Sequence, residues 1–189
     1  MHPRRAALSD NDRPGGLPEL DWKEGKSLTK LGRLPIFYVQ HCTEEWMTTQ
    51  ALAEHLGGPQ VLGRDIRSDL DLEDAVRSGL PVRAFESVVR TGALRATELH
   101  ALVIPRRTLA HRKRLGRRLS SEQSDRLTRV VRVVASAEEA IGDDAKAGRW
   151  LRKPNRALQG RRPLDLLASD VGARLVERVL GRIEHGLGT

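Results

Sequence analysis

The chain has 189 residues and a formal net charge of +8, with 39% hydrophobic, 31% charged and 3% aromatic residues. It contains no apolar run near the roughly 20 residues that a membrane-spanning helix needs, and its single cysteine, Cys42, excludes an internal disulfide, so we expect a cytoplasmic protein without membrane contact. The excess of cations favours a polyanion as partner. Because single-stranded nucleic acids and RNA are usually bound by stacking on aromatic rings, the scarcity of such rings favours duplex DNA.

Residues 1–46 differ in pattern from the rest of the chain. They contain prolines at positions 3, 14, 18 and 35, the Gly15-Gly16 pair and no sustained helical period. Residues 34–39 are apolar enough for one short strand, but that strand has no evident partner. We therefore predict an extended or disordered N-terminal arm over residues 1–46. The alternative is that translation naturally begins at Met47, where helical patterning starts.

After this arm, the spacing of apolar residues predicts helices alone, so the expected fold class is all-α. Glycine and proline residues predict most of the helix boundaries, and a small polar residue predicts one N-terminal cap. In chain order the predicted boundaries are a stop at Gly57-Gly58-Pro59, a cap at Ser68 or Asp69, a stop at Gly79, a start at Pro81 and a stop at Gly92.

Residues 98–118 are the most informative part of the sequence. Proline lacks an N–H and pushes the preceding residue out of the helical region, so Ile104-Pro105 predicts a turn between two short helices. Leu109 and Leu115 are expected to anchor the second helix. Residues 106–118 hold seven Lys or Arg residues and no carboxylate. A buried anchor below a basic exposed face is typical of a helix that enters the major groove of DNA.

The first turn of this second helix is best placed for base edges, and the later cations are placed for phosphates. The alternative is a solvated cationic face without function. The preceding turn, the apolar anchors and the lack of acidic residues at i+4 spacing favour DNA contact instead. The predicted DNA-binding residues are Arg106, Arg107 and Thr108 for bases, Arg112, Lys113, Arg114, Arg117 and Arg118 for phosphates, and His111 on the same surface.

Three further helical units are predicted after this segment. Their boundaries are the Ser120–Gln123 capping box and Gly142 for the longest helix, Pro154 as the stop of a shorter one, and Pro163 and Gly186 for the last. The apolar stripe of the longest helix consists of Leu127, Val130, Val131, Val134, Ala137 and Ile141. The stripe of the last unit consists of Leu164, Leu167, Val171, Leu175, Val179 and Ile183, with Val176 and Leu180 beside it. By itself the last stripe indicates core packing or a dimer seam.

Several separated motifs resemble the Xre/MbcA/ParS family of type II antitoxins. The motifs similar to its toxin-binding domain are residues 150–158, Gly160, residues 163–167 and residues 179–186. Those similar to its Xre-type helix-turn-helix are residues 98–112, Leu119-Ser120 and residues 124–127. The resemblance covers about residues 48–187 and implies an Xre-like helix-turn-helix DNA-binding and dimerisation domain over residues 47–142, followed by a small helical toxin-binding domain over residues 143–189. Two departures from the family pattern are present. Arg95 and Arg162 stand in place of small capping residues, which leaves the starts of their helices open, and the Ile104-Pro105 turn lacks a glycine, which leaves the docking angle open.

The resemblance implies a homodimer that binds operator DNA and a RES-domain toxin that consumes NAD or uses it for ADP-ribosylation. The C-terminal domain would block the toxin's active site, and the extreme C-terminus would lie nearest to the toxin's cleft. Asn155 also has the alternative role of capping the turn that begins at Arg156. With the exposed polar residues of the last helix added, the expected toxin-binding residues are Asn155, Asp165, Arg174, Arg178, Arg182, Glu184, His185, Gly186, Leu187 and Thr189.

The sequence lacks several common catalytic motifs. It has no phosphate-binding glycine loop, no zinc-protease motif and no nucleophile elbow, and its six histidines are scattered. We therefore expect no enzyme, no catalytic residue, no metal site and no cofactor. The rival function is a stand-alone helix-turn-helix transcriptional regulator without a toxin, which a gene without a neighbouring toxin gene would favour. RNA binding is disfavoured by the scarcity of aromatic residues.

Overall fold

A computed structural model describes residues 49–186. In this range every regular element is helical, which confirms the all-α prediction, and no helix is both long and apolar enough to cross a membrane. The helices are α1 (Thr49–His55), α2 (Gly58–Leu62), α3 (Asp69–Ser78), α4 (Val82–Thr91), α5 (Ala96–Leu102), α6 (Arg106–Arg114), α7 (Ser121–Ile141), α8 (Asp144–Arg152), α9 (Pro163–Leu166) and α10 (Asp170–Glu184), with a 3-10 turn at Arg156–Leu158. The predictions for residues 1–46, Met47, Leu187 and Thr189 lie outside the described residues.

The helix ends follow the capping residues of the sequence. Ser68 accepts the Asp71 N–H at 3.2 Å at the start of α3, and Ser120 with Gln123 forms the predicted capping box of α7. At the start of α5 the Glu98 carboxylate accepts the Arg95 N–H at 2.8 Å, so a residue without a short hydroxyl still lies at the N-cap.

Helix α7 forms the centre of the structure. It packs against α1, α3, α5, α8 and α10. Its middle is buried on more than the predicted face: Val133, Ala135 and Ser136, which lie outside the predicted stripe, are buried as well. The stripe identified one face, but neighbouring helices cover part of the others. Because α7 contacts helices from both predicted domains, the domain boundary after residue 142 stays a prediction.

The last predicted unit is divided in two, and its apolar stripe is partly wrong. Ser169 ends the gap between α9 and α10 and accepts the Gly172 N–H at 3.1 Å. A Cβ on Gly172 would lie 2.1 Å from the Leu166 carbonyl oxygen, so only glycine allows this close approach. Because the break shifts the helical phase, Val171 and Leu175 are exposed, with relative accessibilities of 71% and 37%. The buried face of α10 instead consists of Gly172, Ala173, Val176, Val179, Leu180 and Gly181.

Candidate functional surfaces

The predicted helix–turn–helix is present at α5 and α6. Ile104 is fully buried at the turn. Nδ1 of His100 lies 2.9 Å from the Ile104 carbonyl oxygen, and the His100 ring lies 4.8 Å from the Phe85 ring, measured between ring centroids. Leu109 is buried as predicted, whereas Leu115 is 48% exposed because it lies at the C-cap, beyond the face of α6 that packs on the core. A single buried leucine thus anchors α6.

The positive charge of the described residues is concentrated at α6 and the loop after it. Residues 106–118 carry seven Lys or Arg and no acid, whereas the other described residues carry nineteen Lys or Arg against eighteen Asp or Glu. Apart from this segment, cations and anions are therefore nearly balanced. A locally unbalanced charge of this size attracts a polyanion, because releasing the counterions of a polyanion favours binding.

The N-terminal turn of α6 is the most open part of this surface. Arg106, Arg107 and Thr108 are exposed. Arg107 and Thr108 also line a shallow groove with His111 and Arg114, in which Arg114 donates to His111 Nδ1 at 3.1 Å. This arrangement brings four of the predicted DNA-binding residues, Arg107, Thr108, His111 and Arg114, to one groove.

Three cations near the end of α6 contact the protein itself. Arg112 donates to the Arg118 carbonyl oxygen at 2.7 Å, and Arg118 donates to the Gly79 carbonyl oxygen at 3.0 Å. Lys113 forms an ion pair with Glu86 of α4, with 2.5 Å between Nζ and Oε1. Sequence reasoning missed the acidic partner because it lies 27 residues upstream, far outside i+4 spacing. Arg117 remains exposed in the following loop.

A second surface lies between α7 and α10. This α7–α10 groove has a volume of about 900 Å³ and is lined by Arg132, Ser136, Asp170, Val171, Arg174, Glu177 and Arg178. Two of its arginines are paired with acids: Arg132 contacts Glu177 at 2.6 Å, and Arg174 contacts Asp170 at 2.9 Å. The groove therefore combines an exposed aliphatic residue with a mixed-charge border, an arrangement suited to another protein rather than to a polyanion.

The structure brings only some of the predicted toxin-binding residues to this groove. Arg174 and Arg178 line it, and Arg182 is exposed further along α10. Glu184, His185 and Gly186 are exposed at the end of α10, whereas Leu187 and Thr189 lie outside the described residues. Sequence reasoning missed Val171 as a groove residue because its exposure depends on the break before α10. It missed Arg132 because this residue lies on α7, far from α10 in the sequence.

Asn155 and Asp165 have local partners instead. Asn155 Oδ1 accepts the Ala157 N–H at 2.8 Å, so its capping role is present. Asp165 accepts two hydrogen bonds from Arg162, each of 2.8 Å, and the pair raises the pKa of Arg162 further above its ordinary value. Neither Asn155 nor Asp165 lines the α7–α10 groove.

One carboxyl group near the end of α7 has a strongly shifted pKa. Burial, with a smaller contribution from the negative charge of Asp144, raises the pKa of Glu138 to about 7. Its Oε2 atom lies 3.8 Å from Nδ1 of His55 on α1. These groups do not form a metal site, and within residues 49–186 no group of His, Cys, Asp and Glu side chains is arranged to hold a metal ion.

Comparison with known proteins identifies two family domains in the chain. A model of the antitoxin Xre-like helix-turn-helix domain matches residues 71–132, and a model of the antitoxin Xre/MbcA/ParS C-terminal toxin-binding domain matches residues 136–186. The chain is 33% identical to an antitoxin Xre of Yersinia enterocolitica over 141 residues, which are 74% of this chain and 91% of the relative. It is 32% identical to an antitoxin Xre of Pseudomonas putida over 124 residues, 66% of this chain and 77% of the relative.

Proposed function

The chain belongs to the Xre family of antitoxins and contains their helix-turn-helix and toxin-binding domains, and we propose that it neutralises a RES-domain toxin and represses its own operon. The toxin would consume NAD, and the antitoxin would act by blocking the toxin's active site. The observation that carries the proposal is the presence of two chemically different exposed surfaces, a basic one on α6 and a mixed, partly aliphatic one between α7 and α10.

For repression, α6 enters the major groove of promoter DNA as part of a homodimer. Arg106, Arg107 and Thr108 contact base edges, because they form the open first turn of the helix. His111 and Arg114 extend the same face, and Arg117 contacts phosphate.

The cations that contact the protein also take part in DNA binding. Lys113 exchanges its exposed ion pair with Glu86 for a phosphate at little cost, because exposed ion pairs contribute little to stability. Arg112 and Arg118 each donate one N–H to a carbonyl oxygen and use another for phosphate, so they also fix the end of α6.

For neutralisation, the toxin docks on the α7–α10 groove. Val171 and Leu175 supply aliphatic contact area, and Arg174, Arg178 and Arg182 form the polar border. The segment from Glu184 to Thr189 continues from α10 into the toxin's cleft, while Asn155 and Asp165 hold the shape of the adjoining loop. Blocking a site requires no bond to be made or broken, so this function needs no catalytic residue, cofactor or metal. Both binding partners place the protein in the cytoplasm.

Co-expression with the neighbouring gene product tests the proposal. Growth and cellular NAD are scored with the full chain, with a version that ends at Lys153, and with a Val171→Asp/Leu175→Asp variant. Of these three versions, we expect only the full chain to rescue growth. The exposed double substitution is included because it leaves the core intact, whereas the truncation removes α10 from its contact with α7. A matched Arg106→Ala/Arg107→Ala variant should still rescue growth, since its changes lie on the DNA-binding surface.

Two outcomes would contradict the toxin part of the proposal. In the first, the neighbouring gene product is harmless when it is expressed alone. In the second, all versions rescue growth equally. Either result would favour a helix-turn-helix regulator without a toxin partner, which DNA-binding measurements on the same variants would identify.

A further inference from the structure

The Arg152 side chain connects the C-terminal family domain to the helix-turn-helix. It is the last residue of α8. Its guanidinium donates two hydrogen bonds of 2.7 Å to the Glu98 carboxylate of α5, from Nε to Oε1 and from Nη2 to Oε2. Nη2 also donates to the Ala93 carbonyl oxygen at 3.0 Å, in the turn between α4 and α5, and Nη1 donates to the Gly148 carbonyl oxygen at 2.7 Å. One side chain thus binds two backbone carbonyl oxygens and one carboxylate.

Glu98 is also the residue that caps α5. Its Oε2 atom accepts the Arg95 N–H, so the carboxylate that Arg152 binds is the same one that satisfies the start of the helix. The hydrogen bonds from Arg152 lower the pKa of Glu98 and raise that of Arg152, which keeps both groups charged at neutral pH. Both side chains are largely buried, with relative accessibilities of 26% for Arg152 and 17% for Glu98. An ion pair in such a site is less screened than one on the surface.

The backbone of α8 approaches this turn closely at Gly148. A Cβ at Gly148 would lie 2.9 Å from the Ala93 carbonyl oxygen and 3.0 Å from Arg152 Nη1. The absence of a side chain here lets the helix pass beside the turn and lets the guanidinium lie between them. Gly148 and Arg152 therefore form one contact.

Helix α5 determines where α6 begins. Its first residues are held by Glu98 and Arg152, and its last turn is followed by the buried Ile104, whose carbonyl oxygen lies beside His100. Only Pro105 separates Ile104 from α6, which itself has the single buried anchor Leu109. A rotation of α5 would therefore move the base-contacting turn of α6.

We propose that Arg152 is a positioning residue for DNA binding: from the C-terminal family domain it holds α5, and through α5 the basic helix α6, in the orientation that fits the major groove. This inference rests on the proposed DNA-binding function. It assigns a role in DNA recognition to a residue that lies outside the helix-turn-helix match and contacts no DNA.

Two measurements on the full chain test the inference, using Arg152→Met and the conservative Arg152→Lys. The first is amide hydrogen exchange of residues 96–109, which needs no DNA. The second is the affinity for a duplex that spans the chain's own promoter, compared with a scrambled duplex of the same length, as a function of salt. The matched control is Arg162→Met, which breaks a similarly bidentate but exposed pair with Asp165 inside the C-terminal domain.

We expect Arg152→Met to speed exchange in α5 and the start of α6 about tenfold, since charge-assisted hydrogen bonds at the helix start are lost. Affinity for the promoter duplex should fall about tenfold, with an unchanged salt slope, because no phosphate contact is removed. Arg152→Lys retains the charge but not the bidentate geometry of the guanidinium, so its exchange rate and its affinity should lie between those of Arg152→Met and the parent. Arg162→Met should match the parent in both measurements.

Unchanged exchange at residues 96–109 in Arg152→Met would overturn the inference. So would an equal loss of DNA binding and toxin binding together with faster exchange throughout α10, because that pattern means general destabilisation. Should Arg152→Met fail to fold, the comparison of Arg152→Lys with Arg162→Lys decides by the same criteria. Absence of promoter preference in the parent chain would instead refute the proposed DNA-binding function, while the exchange result still decides whether Arg152 holds α5.

Discussion

Helices α6 and α10 both carry several arginines on the surface, but they use them differently. In α6 the cations have no acidic neighbours on the same helix, and only Leu109 is buried. In α10 the arginines stand among acids, as in the Arg174–Asp170 pair, and six residues are buried. Helix α6 therefore packs on the core through a single buried side chain and exposes net positive charge. Helix α10 packs through six buried residues and exposes paired charges beside aliphatic side chains.

This difference shows that a count of arginines does not predict a partner. Net charge that is left unbalanced favours a polyanion, because counterion release rewards each cation that meets a phosphate. Balanced charge around an exposed aliphatic patch favours a protein surface, since the patch gains by burial and the charges supply specificity. Substitutions that change burial or charge on one helix at a time can test this difference.

The largest expected effect tests the two faces of α10. Leu180→Ala should lower the free energy of unfolding by about 3 kcal/mol, because Leu180 is fully buried and the change leaves a cavity. Leu175→Ala on the same helix should change it by less than about 0.5 kcal/mol, because the side chain is already exposed. Urea denaturation of both variants measures the difference, and equal losses would mean that Leu175 is covered in the protein in solution.

The next effect separates base contacts from phosphate contacts on the basic surface. Arg107→Ala should reduce the preference for the promoter duplex over a scrambled one by about 1–3 kcal/mol, as expected when a base contact is lost. Arg117→Ala should weaken binding to both duplexes alike. It should also reduce the slope of log affinity against log salt concentration by about one unit.

Titrations of both duplexes over a range of salt concentrations measure these terms. Arg174→Ala serves as the control, because it removes an arginine whose charge is already paired with Asp170. If that variant lost as much DNA affinity as Arg117→Ala, the distinction between the two helices would fail.

The sequence allowed the fold class, most helix ends and the basic surface to be predicted, because these depend on local residues. Ser120 and Pro105 act on their own neighbours, and the helices begin where these residues require. Together with the family motifs, they were sufficient to assign both domains.

The remaining features depend on residues that are distant in sequence. Val133 is buried because other helices cover the faces of α7 that its own stripe leaves open, and Val171 is exposed because the break after Leu166 shifts the phase of α10. Arg118 contacts a carbonyl oxygen 39 residues upstream, and Arg152 contacts a carboxylate 54 residues upstream. No periodic pattern contains such pairs.

A smaller effect on stability is expected from Glu138, which lies near the end of α7, the helix against which α10 packs. Its raised pKa means that the folded chain binds more protons than the unfolded chain between about pH 4.5 and about pH 7, so stability falls as the pH rises through this window. Glu138→Gln removes the titration and should be more stable than the parent by about 1–2 kcal/mol at pH 8, less than the full shift would give, because the side chain is only partly buried.

Thermal denaturation of both proteins from pH 4.5 to pH 8 measures this effect. DNA affinity should remain the same in Glu138→Gln at each pH, because Glu138 lies on α7 and does not line the basic groove of α6. A parent chain whose stability is flat or rising across the window would contradict the prediction.

The smallest effect concerns Glu86, the acidic partner of Lys113 on α6. Glu86→Gln removes the partner of Lys113, and we expect stability to change by less than about 1 kcal/mol, because both side chains of the pair are exposed, by 66% for Lys113 and 40% for Glu86. Affinity for duplex DNA should rise about two- to fivefold at low salt, since an anion beside the phosphate path is removed and Lys113 is released to bind phosphate. Glu73→Gln, which breaks the similarly exposed Arg77 pair on α3, is the matched control and should leave DNA affinity unchanged. A loss of affinity in Glu86→Gln would mean that Glu86 holds Lys113 in place for DNA, and the open, unpaired character attributed to α6 would then extend only to its first turn.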